Sequence, residues 1–188
     1  MDEIIKIFKE TGALLNGHFR LTSGLHSPIY FQCAVVLQYP EYCHLLAAKI
    51  VKHFQKQNID LVISPAIGGI VIGQEVGRQL GIRSIFAERE AGKLKLRRGF
   101  ELGPGENVLI CEDVVTTGGS VFEVADLVKV SRANLVGVGY IVDRSNGKVD
   151  FSIDQYAVVS LDVTTFSSDS CPFCLKGMPI EKPGSRSE

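Results

Sequence analysis

Apolar positions recur along this chain with two different periods, and the alternation between them sketches the fold before any single residue is interpreted. At the start, Ile4, Ile5, Ile7 and Phe8 fall on one side of a 3.6-residue repeat and predict an amphipathic helix. Residues 19–31 mix Ser, Gly and aromatic side chains and read as extended strand and loop, an appendage to the main body of the chain. Over 41–57, Leu46, Ile50 and Phe54 stand four apart, the spacing of one helical face. Beyond that point the pattern becomes regular. Strands are expected at 60–64, 83–88, 107–112 and 135–143, helices at about 70–80 and 120–130, and a last strand at 156–163.

Short Val/Ile/Leu-rich strands separated by helices require crossover connections, so the expected class is α/β, with a mostly parallel central sheet flanked by helices. Ligands bind such sheets beyond the carboxyl ends of the strands, which directs attention to the loops after Ser64, Glu88, Glu112 and Asp143. Segment 89–105 breaks the pattern. It has no helical period, carries glycine at 92, 99, 103 and 105, and with its flank sets Arg89, Lys93, Lys95, Arg97 and Arg98 against Glu88 and Glu90. A mobile cationic loop is expected there.

With 188 residues, 45% of them hydrophobic, the chain is long enough for one domain with a buried core. A net charge of −1 supplies no global field to recruit nucleic acid or an anionic membrane, so any anion has to be caught locally. The uncharged stretch 61–74 is too short to cross a bilayer, and the acidic, amphipathic start is unlike a secretion signal. Five cysteines, of which Cys33, Cys43 and Cys111 lie in apolar contexts, point to reduced thiols and a cytoplasmic protein.

The most informative stretch is VLICEDVVTTGGSV at 108–121, where an apolar strand ends in two acids and passes through Thr-Thr-Gly-Gly-Ser into a helix. Glycines let the backbone approach a phosphate, the hydroxyls donate, and the amides opening the helix add a positive dipole end. The acids Glu112 and Asp113 would repel that phosphate unless they faced something else, and sugar hydroxyls or a bridging Mg²⁺ would satisfy them. A sugar phosphate fits; the alternative is a strand end with solvated acids before an ordinary helix-capping turn. No Walker A or dinucleotide-binding glycine pattern occurs.

EDVVTTGGS at 112–120 resembles the phosphoribosyl pyrophosphate (PRPP) signature of the type I phosphoribosyltransferases. Three more segments resemble the orotate phosphoribosyltransferases within that family: FRLTSGLHSPIY at 19–30, like their N-terminal hood that closes over the pyrimidine; Arg144 in IVDRS; and REAGKLKLRRGF at 89–100, where they carry a flexible catalytic loop. The resemblance implies a single domain over 1–188 with the type I fold, a small hood from about 1–35 plus a C-terminal segment, and a flexible loop at about 89–104 shared across a homodimer. It implies transfer of ribose 5-phosphate from PRPP to orotate in pyrimidine biosynthesis, with Mg²⁺ held mainly through PRPP. PRPP then meets Glu112, Asp113, Val114, Val115, Thr116, Thr117, Gly118, Gly119 and Ser120, together with Arg89 and Lys93; Thr116 and Arg144 hold orotate; Asp113 and Lys93 are catalytic. Another nucleobase substrate, or a PRPP sensor without catalysis, is the alternative.

Arg144 also makes sense unaided, since a guanidinium at a strand's carboxyl end can grip a planar carboxylate; a salt bridge to Asp143 or another acid is the competing reading. SPAIGGI at 64–70 reads either as a turn whose amides contact pyrophosphate or as a strand-to-helix turn needing small residues. The loop departs from the family by lacking a histidine, which leaves Lys93, then Lys95 and Arg89, as cations for the leaving group. His26 stands where some relatives have a PRPP-contacting lysine and is read as a hydrogen-bonding surface residue. Cys171 and Cys174 supply half a tetrahedral zinc set; a second chain or distant residues would have to complete it, so no metal site is assigned there. Lys176, Lys182 and Arg186 read as a solvated tail.

Overall fold

The structure is a computed structural model and describes residues 2–21, 23–161 and 164–183. The chain divides into two compact units, one formed by 1–36 with 162–188 and the other by 37–161. The first begins with helix α1 (Asp2–Glu10), which buries Ile4, Ile7 and Phe8 as its periodicity requires. Strands β1 (Leu14–Arg20) and β2 (His26–Phe31) then pair as an antiparallel ribbon, followed by a short helix α2 (Cys33–Leu37). His26 is buried here, not on the surface as expected, because its strand is covered by the returning C-terminal segment: His26 and Phe166 exchange both backbone hydrogen bonds.

The second unit holds helix α3 (Pro40–Phe54), strand β3 (Leu61–Pro65), helix α4 (Gly68–Leu80), strands β4 (Arg83–Glu90), β5 (Lys93–Leu96) and β6 (Asn107–Val115), helix α5 (Gly119–Val130) and strands β7 (Asn134–Asp143) and β8 (Gln155–Ser160). The sheet order is β5-β4-β3-β6-β7-β8, and every pairing is parallel except β4 with β5. The α/β class with a mostly parallel, helix-flanked sheet is therefore as expected. β3 is buried at every position, as a central strand covered on both faces must be. On one face α5 contributes Val121, Val124 and Val128 to a core with Leu61, Ile63, Val108 and Ile110. Leu46, Ile50 and Phe54 of α3 are fully buried, each worth about 1.5–3 kcal/mol of transfer free energy. Proline at the first turn starts α3 and left-handed Gly81 ends α4.

Two boundaries differ from expectation for physical reasons. β6 runs on to Val115 because Val114 and Val115 keep pairing with Val142 and Asp143, so the acids lie within the strand and do not end it. The segment expected as a loop from 89 instead begins as a hairpin: Lys93-Leu94-Lys95-Leu96 alternates polar and apolar, and β4 extends two residues to meet it. Ala91 and Gly92, both at positive φ (49° and 83°), make the two-residue turn that right-twisted strands accept. β8 ends at Ser160; the remainder of its expected span includes 162–163, which lie outside the described residues, as does Arg186. No helix among the described residues is long and apolar enough to cross a membrane.

The chain then returns to the first unit through a 3-10 turn (Ser168–Ser170) and the short helix α6 (Pro172–Leu175). Backbone hydrogen bonds from Arg20 to Glu181 (2.8 Å) and from Glu181 to His18 (2.8 Å) tie this segment along β1.

Candidate active site

Three strand ends converge in the second unit. Glu112 and Asp113 stand near the end of β6, each folded onto the following backbone: the Asp113 amide donates to Glu112 Oε1 (3.1 Å) and the Val114 amide to Asp113 Oδ1 (2.8 Å). The turn between β3 and α4 closes over them, and it is so near that a side chain at Gly68 would place its Cβ 2.5 Å from Asp113 Oδ2. Gly69 is comparably close to Glu112 Oε1, at 2.9 Å. The glycines of SPAIGGI thus serve close approach to the acid pair. The Ala66–Ile67 peptide in this turn is cis. From the third strand end, the Arg144 amide donates to the Val115 carbonyl (2.8 Å), which fixes that arginine's backbone beside the start of the Thr-Thr-Gly-Gly-Ser turn.

That turn presents Thr116 and Thr117 exposed and Gly118 buried. Gly118 sits at φ 74°, and a Cβ there would meet Phe151 and Val149 at 3.0 Å, so both conformation and space demand glycine. No side chain caps α5, whose first amides have no intrahelical acceptor and point outward with the positive end of the helix dipole. Ser120 comes next, half-buried, in the first turn. Such a terminus suits an anion.

Burial, and after it the neighbouring Asp113 charge, pushes the Glu112 carboxyl well above the usual carboxylate range, and burial also raises Asp113. A raised folded-state value means the folded chain holds a proton that the unfolded chain releases. This contribution therefore favours folding at acid pH and is lost as pH climbs above the ordinary glutamate value of 4.5. Glu112→Gln, whose amide oxygen can still accept from Asp113, is expected to stabilise the protein by about 1 kcal/mol or more near pH 8. Urea unfolding of the two proteins at about pH 5 and pH 8 checks this: the difference should widen with pH.

The cations of the 88–98 segment are unequal. Arg89 donates to Glu123 of α5 (2.9 Å and 3.2 Å) and to the Gly92 carbonyl (2.6 Å). Lys95 and Arg97 pair with Glu90, and Arg98 pairs with Glu88. Lys93 is exposed and forms no ion pair among the described residues. Glu123 also accepts the Leu94 amide (2.9 Å), and so moors the hairpin to α5, the helix that opens at the 116–120 turn. The Arg89 hydrogen bond holds the Glu123 carboxyl below its usual range. Sequence reasoning missed Glu123, since nothing in the spacing links it to a cation 34 positions away. The structure thus gathers Glu112, Asp113, the 116–120 turn and the Arg144 backbone, while it gives the Arg89 guanidinium to Glu123.

Comparison with known proteins agrees with this geometry. The family model described as "Phosphoribosyl transferase domain" matches residues 37–172. The orotate phosphoribosyltransferase of Chlorobium phaeobacteroides (strain DSM 266) is 58% identical over 97% of this chain and 95% of its own length, and that of Desulforamulus reducens is 54% identical over 98% and 97%. Among solved structures, orotate phosphoribosyltransferase from Aeropyrum pernix superposes with a TM-score of 0.72 at 20% identity, over 84% of this chain and 93% of that one, a likeness of fold. With near-full-length identity above half, and with the acid pair and glycine turn standing at adjoining strand ends, this chain belongs to the orotate phosphoribosyltransferases of the type I phosphoribosyltransferase family.

Proposed function

We propose that this protein is a pentosyltransferase that moves ribose 5-phosphate from PRPP to orotate, releasing pyrophosphate and giving orotidine 5′-monophosphate for pyrimidine biosynthesis. The observation that carries the reading is the acid pair, Glu112 buried and Asp113 half-buried, next to a glycine-opened helix start whose N-cap, Gly118, has no side chain to cap it. Two carboxylates suit the vicinal hydroxyls of a ribose, and the amides and hydroxyls of 116–120 suit its 5′-phosphate. One sugar phosphate engages both.

In the reaction the bond from ribose C1 to pyrophosphate oxygen breaks, a bond from C1 to the pyrimidine N1 forms, and the N1 proton leaves to the departing pyrophosphate or to water, with positive charge on the sugar ring between the two bond changes. Ionised Asp113 and Glu112, held against the ribose, stabilise that charge more than they stabilise the neutral ground state, and this is where catalysis is gained. Lys93, the hairpin cation without an ion pair among the described residues, meets the departing pyrophosphate; Arg144 and Thr116 hold the orotate carboxylate. The site's donors fit Mg²⁺, being the hard carboxylate oxygens of Glu112 and Asp113, against which Gly68 and Gly69 pack closely. When bound, mainly through PRPP's own oxygens, Mg²⁺ supplies charge neutralisation on the pyrophosphate.

The reading extends to a homodimer sharing the hairpin, supported by the place of β5 as the outermost strand of its sheet. It extends to the cytoplasm, supported by five free cysteines. Steady-state assays with PRPP, Mg²⁺ and either orotate, uracil, adenine or hypoxanthine test it. Turnover is expected with orotate alone. Preference for a purine would reassign the substrate, and PRPP binding without turnover on any base would make the protein a sensor.

A further inference from the structure

The Cys-x-x-Cys pair plays no part in the phosphoribosyl chemistry, yet the first unit folds around it. Cys171 precedes α6 and Cys174 lies within it, so one helical turn puts both sulfurs on the same side. Facing them are two histidines from the opposite end of the chain. His18 stands two residues before Arg20, which pairs with His26 across the ribbon, so the imidazoles share a face. A register shift between Asn16 and Phe19 inserts one extra residue in β1 and sets that phase.

The four groups converge on one point. His18 Nε2 lies 3.0 Å from His26 Nδ1, 3.5 Å from Cys171 Sγ and 3.6 Å from Cys174 Sγ, and Cys174 Sγ lies 3.2 Å from His26 Nδ1. All four ligand atoms fall within 4.8 Å of one another. A tetrahedron with Zn–N of about 2.0–2.1 Å and Zn–S of about 2.3 Å has edges of about 3.3 Å between nitrogens and about 3.6 Å between nitrogen and sulfur. Those four separations sit within a few tenths of an ångström of these edges, and the two others, from Cys171 to His26 and to Cys174, are at most 4.8 Å.

The surroundings are those of a metal ligand set. His18 Nδ1 donates to the Met178 carbonyl (3.0 Å), which can only accept, so Nε2 turns an unprotonated lone pair toward the cluster. Phe173 stacks on the same ring, at 5.6 Å between centroids. Left-handed Gly177 bends the chain after α6, bringing Met178 back to that imidazole. His18, His26 and Cys171 are buried, at 3%, 6% and 0% exposure, while Cys174 stands on the exposed side.

We propose that His18, His26, Cys171 and Cys174 bind one structural Zn²⁺ that clasps the C-terminal segment to the β1–β2 ribbon. Four protein ligands leave no open position, as in a structural site, and two thiolates with two imidazoles favour zinc over the hard cations. The site lies wholly in the first unit, and none of its four residues is among those assigned to PRPP or orotate. The separation of 145 positions or more between its halves explains why the cysteine pair alone looked incomplete.

Full-length protein without a histidine tag, equilibrated with Zn²⁺ and dialysed, is expected to retain about one zinc per chain by elemental analysis. Co²⁺ in its place should give the intense visible bands of a tetrahedral thiolate complex. Cys174→Ala should weaken zinc retention against a competing chelator at least about tenfold, while His53→Gln, a change at an exposed histidine outside the cluster, leaves it intact. If Cys174→Ala does not fold, the cobalt spectrum of the unaltered protein decides. Less than about a tenth of an equivalent retained, a Cys171–Cys174 disulfide in freshly purified protein, or an octahedral cobalt spectrum would overturn the assignment.

Discussion

Asp113→Asn is expected to lower turnover with orotate and PRPP by about 10²–10³-fold while changing PRPP affinity only a few-fold. The asparagine keeps an oxygen in nearly the same place, able to accept from the Val114 amide as Asp113 Oδ1 does now, so the ground-state grip on a ribose hydroxyl survives. What is lost is negative charge beside a sugar that turns cationic only on the way to product. A carboxylate in a buried pocket acts through a low effective dielectric, and a loss of about 2.7–4 kcal/mol of transition-state stabilisation is reasonable for such a group. Single-turnover measurements with prebound PRPP separate the two quantities. Equal losses in affinity and rate would reduce Asp113 to a binding residue.

The same carboxylate shows how ligand and pH are coupled at this site. Burial raises Asp113 and Glu112 in the ligand-free protein, so the pair holds its protons to higher pH than ordinary carboxylates do. Ribose hydroxyls donating to the acids, with Mg²⁺ near, favour their ionised form. PRPP binding should therefore release a proton, which makes substrate affinity rise with pH over the range in which Glu112→Gln shows its stability gain. One residue thus carries a cost in folding and a gain in function.

How much of this is legible in the sequence differs by kind of interaction. Helices α3 and α5 and strands β3, β6 and β7 announce themselves because burial on a face or on both faces writes a period into the sequence. The acid pair and the glycine turn are legible because the whole site-forming string is contiguous. The hairpin escapes sequence reasoning although Lys93-Leu94-Lys95-Leu96 alternates, because four residues are too few against a background of charge, and Ala-Gly is not the usual turn dipeptide. The Glu123–Arg89 pair and the histidine–cysteine cluster have no local signature at all. Both depend on tertiary contacts between segments 34 and about 150 positions apart. His26 is misplaced for the same reason, since a strand's burial depends on what later folds over it.

Arg144→Ala is expected to raise the Michaelis constant for orotate about 10–100-fold and leave that for PRPP within about twofold. The expectation rests on position and chemistry together. The Arg144 amide is pinned to Val115 (2.8 Å), so the side chain departs from a fixed point at the mouth of the phosphate turn and not from a loose loop. A charged hydrogen-bonded pair is worth about 1.5–3 kcal/mol, and truncation leaves a substrate carboxylate with no guanidinium to receive it. Because the backbone bond persists in the variant, the turn proposed to hold the 5′-phosphate keeps its shape. Arg144→Lys provides the control: a single ammonium restores charge but not the planar two-bond grip, so it should recover only part of the loss. If lysine restored orotate binding fully, the arginine would be acting as a general positive charge. If PRPP were the substrate affected, the guanidinium would belong to the phosphate side of the pocket, and the proposed orientation of the two substrates would have to be reversed.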